Sequence, residues 1–173
     1  MNILLGVTGS VAAILTPKLI EKLTANGHIV TVVMTNTAPK FLKEKIPYYK
    51  DEDEWSEFKE IGDPILHIEL RKWADVMLIA PCTMNTLGKI ANGLCDNLLT
   101  NIARAWDYSK PFCIGPAANT FMWDSQITRN QLRIVEDLGV RVIPPISKTL
   151  ACGDTGIGAM ADIKTIIEYI EEL

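Results

Sequence analysis

Short apolar runs alternate along this chain with stretches of helical periodicity, and few folds accept that pattern. Asn2 to Val7, His28 to Met34, Asp75 to Ala80, Phe112 to Gly115 and Val140 to Ile143 are dominated by β-branched and aliphatic residues. Continuous runs of this length suit strands buried on both faces. Between them, apolar residues recur at helical spacing from Val11 to Leu23, Met84 to Asn92, Asn97 to Ala105 and Ser125 to Leu138, and again from Ile163 to Glu172. Alternation of this kind predicts a parallel sheet covered by helices on both sides, with right-handed crossovers. The fold class is α/β: a three-layer α/β/α sandwich on a doubly wound parallel sheet.

A chain of 173 residues has the length of one domain, taken as 1–173. Pro17 interrupts the first helical pattern and predicts a kink or early break there. Lys40 to Asp63 is polar and poorly periodic, either an excursion over a site or a long surface connection. The net charge of −4 comes with no basic stripe, which argues against a nucleic-acid partner. No apolar run approaches the roughly 20 residues of a membrane span. Met1 to Gly6 lacks the basic region of a secretory signal, so the expectation is a cytoplasmic protein without a membrane partner. Cys82, Cys95, Cys113 and Cys152 show no paired metal-ligand spacing; they read as free thiols, with no metal site.

In a doubly wound sheet, ligands bind beyond the carboxyl ends of the strands. That rule selects Thr8 to Ser10, Thr35 to Thr37, Pro81 to Thr86 and Pro116 to Asn119. Gly9-Ser10 joins a strand to a helix, where free backbone N–H groups and the helix dipole suit a phosphate; an ordinary helix cap is the plain alternative. Val11-Ala12-Ala13 stands where the dinucleotide fingerprint has its later glycines, so a mononucleotide fits better than NAD. Thr83, Asn85 and Thr86 form a second polar turn of the same kind. The candidate cofactor contacts are Gly9, Ser10, Val11, Thr35, Thr37, Thr83, Asn85, Thr86 and Ala117, the last small enough to admit a flat ligand. Asn119 can donate to and accept from a carboxylate or amide, and Met122 follows it.

His67 is a surface or capping residue, or a proton carrier near neutral pH, on a face shared with Arg71 if the segment is helical. Cys152 lies among three glycines between Ala151 and Met160, a composition that suits a mobile flap and not a core strand. It is the one thiol placed to act as an acid or nucleophile.

Several of these stretches together resemble the phosphopantothenoylcysteine decarboxylases, a group of homo-oligomeric flavin-containing cysteine decarboxylases. The likeness runs through His67-Ile68-Glu69-Leu70-Arg71, the Ala80-Pro81 to Ala91 run, Gly93 to Thr100, Pro116 to Trp123 and Ala151 to Asp154. It covers nearly the whole chain and implies a Rossmann-like flavoprotein that binds FMN between the subunits of a homotrimer. The implied reaction converts 4′-phosphopantothenoylcysteine to 4′-phosphopantetheine in coenzyme A biosynthesis. By the same resemblance His67 and Cys152 are catalytic, and Asn119 and Met122 bind substrate. Hydride removal from the thiol-bearing carbon would give a thioaldehyde; CO2 loss would then leave an enethiolate, which the returning hydride and a proton from Cys152 reduce. Ala118 departs from the family pattern, which has Met before the asparagine; altered packing with retained activity is expected. Peptidyl-cysteine decarboxylases and flavin prenyltransferases are related alternatives, and a phosphatase-inhibitory subunit is a non-enzymatic one.

Overall fold

The computed structural model describes residues 1–56, 58–149, 153 and 155–173. Strands β1 (Asn2–Val7), β2 (Ile29–Met34), β3 (Val76–Cys82), β4 (Phe112–Pro116) and β5 (Arg141–Val142) form one parallel sheet in the order β2-β1-β3-β4-β5. Every β3 and β4 residue is buried, which explains why the runs lack polar alternation. The sequence-based expectation of a doubly wound parallel sheet holds.

Successive β1 side chains serve opposite layers. Ile3, Leu5 and Val7 pack with Val76, Leu78 and Ala80 beneath α1 (Thr16–Ala25) and α7 (Ile163–Glu171). Leu4, with Met77 and Ile79 of β3, faces the other layer: α2 (Leu66–Trp73), α3 (Met84–Ala91), α4 (Leu98–Arg104) and α6 (Gln126–Asp137). Each fully buried aliphatic side chain contributes about 1.5–3 kcal/mol. The glycine in β1 has a packing reason, since a Cβ on Gly6 would stand 2.6 Å from Leu99 Cδ1.

Two local expectations need correction. The Val11 to Leu23 pattern is not one helix: Val11–Leu15 is a 3-10 turn, and α1 begins after it and runs to Ala25. Pro17 occupies the first turn of α1, where its missing N–H leaves no helix bond unmade, so it starts the helix. Within the glycine-rich stretch, expected to suit a flap and not a core strand, Thr155–Ala159 is a strand outside the core sheet. β6 (Ile146–Thr149) pairs antiparallel with β7 (Thr155–Ala159) in a separate, largely exposed two-stranded sheet. It stands outside the core sheet, consistent with its composition. The hairpin packs on α5 (Thr120–Trp123), the short turn after β4. No described helix is long and apolar enough to cross a membrane.

Candidate active site

The strand order reverses at β1, whose chain continues to β2 on one side while β3 lies on the other. A crevice must open beyond the carboxyl ends there, because the two connections leave on opposite faces. Hydrogen bonds latch the strand ends around it. Thr8, nearly fully buried after β1, donates from Oγ1 to the Pro81 carbonyl at 2.7 Å and accepts from Thr83 N at 2.9 Å. Thr35 N donates to Val7 O at 3.1 Å, and Ala117 N to Cys82 O at 2.9 Å. Four strand ends are thereby held in one cluster.

Above them lies a cleft of about 820 Å³, the size of an ordinary small-molecule or cofactor site. It is bordered by Gly9, Ser10, Val11, Thr35, Thr37, Thr83, Asn85, Thr86 and Ala117, and by Asn119 and Met122. These are all the residues expected to touch cofactor or substrate, apart from the two catalytic candidates. Gly9 is required by close approach: a Cβ there would stand 2.7 Å from Thr37 Cβ.

The donors suit a phosphate. Ser10 caps the 3-10 turn, its Oγ accepting from Ala12 N at 3.2 Å, and Thr83 caps α3. Gly9, Val11, Met84 and Asn85 are left with backbone N–H groups that have no partner among the described residues. Two such turns, with the positive end of α3, form a neutral anion cradle. Phe41, Met84 and Met160 add apolar wall, so the cleft offers both a phosphate seat and a surface for a flat ring. The residues present fit a flavin mononucleotide.

Asn119 caps α5, its Oδ1 accepting from Phe121 N at 2.9 Å. Ala118 also borders the cleft, and its N–H donates to Gly158 O at 2.8 Å. That bond fastens the β7 strand to the β4–α5 loop through backbone groups alone, independent of the side chain at position 118.

His67 stands elsewhere. It lies in the first turn of α2 and does not border the cleft of its own chain. Its Nδ1 is paired with Oε1 of Glu54, a carboxylate that is 4% exposed and whose Oε2 is buried with no hydrogen-bond partner among the described residues. A carboxylate at Nδ1 holds that nitrogen as the donor and leaves Nε2 for other chemistry. Sequence reasoning missed Glu54 because it sits in the aperiodic Lys40 to Asp63 stretch, in a 3-10 turn over Asp51–Trp55. The same turn brings Asp51 to the cleft edge, where its Oδ1 accepts from Leu98 N at 3.0 Å. His67 and Arg71 do share a face, but Arg71 is spent on the Ala105 carbonyl, to which Nε donates at 2.9 Å.

Cys152 lies outside the described residues. Two of the other thiols are poor nucleophiles: burial pushes Cys82 up to about 12 and Cys113 up to about 11. No group of three metal-ligating side chains occurs among the described residues.

Sheet order, crevice and cradle together define a mononucleotide-binding α/β protein. Residues 1–173 match the family described as Flavoprotein, and the chain belongs to that family. It is 53% identical over 174 residues to a phosphopantothenoylcysteine decarboxylase of Arabidopsis thaliana, covering 98% of this chain and 83% of the relative. Among solved structures it resembles a cysteine-to-serine mutant of PPC decarboxylase complexed with pantothenoylaminoethenethiol, with TM-score 0.94 and 49% identity over 99% of this chain and 96% of the other. The FMN binding protein AtHal3 superposes with TM-score 0.90 at 50% identity, covering 99% and 95% of the two chains.

Proposed function

We propose that this single-domain chain is an FMN-dependent phosphopantothenoylcysteine decarboxylase of the coenzyme A route. The observation that carries the reading is the cleft at the strand reversal, where the phosphate cradle and Asn119 face one space. The 53% identity to a decarboxylase of that name supports the substrate, and the likeness to an FMN binding protein supports the cofactor.

Bound FMN supplies reversible two-electron chemistry to a substrate with no other way to stabilise the electrons released with CO2. The chain's own groups do the remaining work. The Gly9 to Val11 and Thr83 to Thr86 turns hold phosphate with neutral donors. Asn119 orients the substrate through hydrogen bonds to its carboxylate or amide. His67 holds or moves a proton at Nε2, the nitrogen that Glu54 leaves available. Cys152 supplies from Sγ the proton that completes the saturated thiol. Purified protein should be yellow, release FMN on denaturation, and liberate CO2 from 4′-phosphopantothenoylcysteine in preference to a peptide ending in cysteine. Colourless protein, or equal turnover of the peptide, sinks the reading. In Cys152→Ser, CO2 release should persist while the oxidised enethiol accumulates; normal product at the wild-type rate removes Cys152 from the mechanism.

The active unit in this reading is a homotrimer with FMN between subunits. His67 lies off the cleft of its own chain, and large apolar side chains (Val11, Ile14 and Met122) are exposed around that cleft. Apolar surface clustered at a site rim marks an interface. A neighbouring copy would bring His67 to the cleft that holds Asn119. Mixed oligomers of His67→Asn and Asn119→Ala chains should then recover part of the activity that each parent lacks. Mixtures as inactive as the parents, or a monomer by light scattering, would refute the shared site.

A further inference from the structure

A second groove of about 630 Å³ opens between α1, α7 and β6. Its floor is apolar: Leu15, Ile146, Met160, Ile163 and Ile167. Its rim carries Lys18, Lys22, Lys148 and Lys164. Lys18 and Lys22 are four residues apart on α1 and so project on one side of the helix. Lys164 is loosely paired with Glu168 at 3.7 Å, and the Asp162 carboxylate is occupied as the cap of α7, accepting from Thr165 N at 2.8 Å. Lys18, Lys22 and Lys148 have no ion pair among the described residues.

The groove is continuous with the cofactor cleft, because Leu15, Lys148 and Met160 border both. Among the described residues bordering the cleft itself, Lys148 is the only cation, and it stands at this seam. A substrate phosphate cannot share the neutral cradle already suited to the cofactor phosphate, since two dianions side by side repel strongly. It needs a separate seat with fixed positive charge. We infer that this groove receives the phosphate-bearing arm of the substrate, the arm lying along the apolar floor and the phosphate held by Lys148 with Lys18 and Lys22. The inference rests on the decarboxylase reading above, and it makes the groove the element that selects phosphorylated over unphosphorylated substrate.

The test compares 4′-phosphopantothenoylcysteine with pantothenoylcysteine in the FMN-loaded oligomer, using the ratio of kcat/KM for the two. Replacing Lys18, Lys22 and Lys148 together by glutamine should lower that ratio by about tenfold or more, mainly through KM for the phosphorylated substrate. Lys148→Arg, which retains the charge, should keep most of the preference, and added salt should erode it in the wild type. A merely structural role would depress both substrates alike. An unchanged ratio in the triple variant therefore overturns the groove assignment while leaving the decarboxylase intact. No CO2 from either substrate with the wild type overturns the decarboxylase reading itself.

Discussion

His67→Asn should release CO2 about a thousandfold more slowly than the wild type while still binding flavin. Asparagine is the informative replacement because its amide N–H can still donate toward the buried Glu54 carboxylate. Alanine would leave that carboxylate without a partner in a buried place, at a cost of several kcal/mol in stability, and would confuse folding with chemistry. What asparagine cannot do is carry a proton at the position of Nε2. Losing a positioned proton carrier costs roughly 10² to 10⁴ in rate. Flavin content should be retained, because the phosphate seat is built from the Gly9 to Val11 and Thr83 to Thr86 turns and not from His67. The measurement is carboxyl-labelled CO2 release beside the flavin absorbance of the same preparation. Decarboxylation at the wild-type rate would end the histidine's role, whereas loss of flavin would mean that His67 shapes the cofactor site.

The second large effect concerns the backbone. Gly158 in β7 has a φ of +136°, and a Cβ there would stand 2.5 Å from the Ala118 carbonyl oxygen. That oxygen belongs to a residue whose N–H is hydrogen-bonded to Gly158 O at 2.8 Å, so neither segment can yield without breaking the latch. Gly158→Ala should cost about 3 kcal/mol, combining an unfavourable φ with a backbone clash. For a chain of this length that lowers Tm by about 6–12 °C. Because Ala117, Ala118 and Asn119 move with the latch, flavin affinity should fall by roughly tenfold as well. Gly139→Ala is the control: its φ is also positive at +94°, but nothing lies within 4 Å of the added Cβ. It should cost about 1 kcal/mol and leave flavin binding alone. Equal behaviour of the two variants, by thermal denaturation and flavin titration, would show that the contact with Ala118 does not matter.

The strands were readable because burial on both faces leaves an unmistakable run of apolar residues, as in Val76–Cys82. Helices α3, α4, α6 and α7 were readable from their periodicity to within two residues at each end, whereas α2 stayed conditional and the four-residue α5 was not read as a helix. Val11–Leu15 misled because a 3-10 turn and the following α-helix present similar apolar spacing over one turn. The hairpin of β6 and β7 was missed for the opposite reason: exposed, glycine-rich strands have no hydrophobic face to advertise. Cys152 lies between those strands and outside the described residues.

For the site, the chain order of strands and turns was enough to nominate Gly9, Ser10, Thr35, Thr37, Thr83, Asn85, Thr86, Ala117 and Asn119, all of which border the cleft, but not Phe41 or Met160 of its wall. The physical reason is that parallel strands must end on one side of the sheet, so their following loops converge wherever the order reverses. Sequence reading alone thus determined the fold class and which turns, from Gly9 to Thr86 and on to Asn119, border the cleft. Tertiary structure alone decided the partners that depend on long-range packing. Glu54 reaches His67 across 13 positions from a stretch with no periodicity. Lys148 joins Lys18 and Lys22 only because a hairpin folds back beside α1. The backbone latch between Ala118 N and Gly158 O joins segments about 40 residues apart in sequence. Such contacts follow from where whole elements dock, which no local pattern of residues encodes. The same docking puts His67 outside the cleft of its own chain, in keeping with the site between subunits that the resemblance implies and that the mixed-oligomer experiment tests.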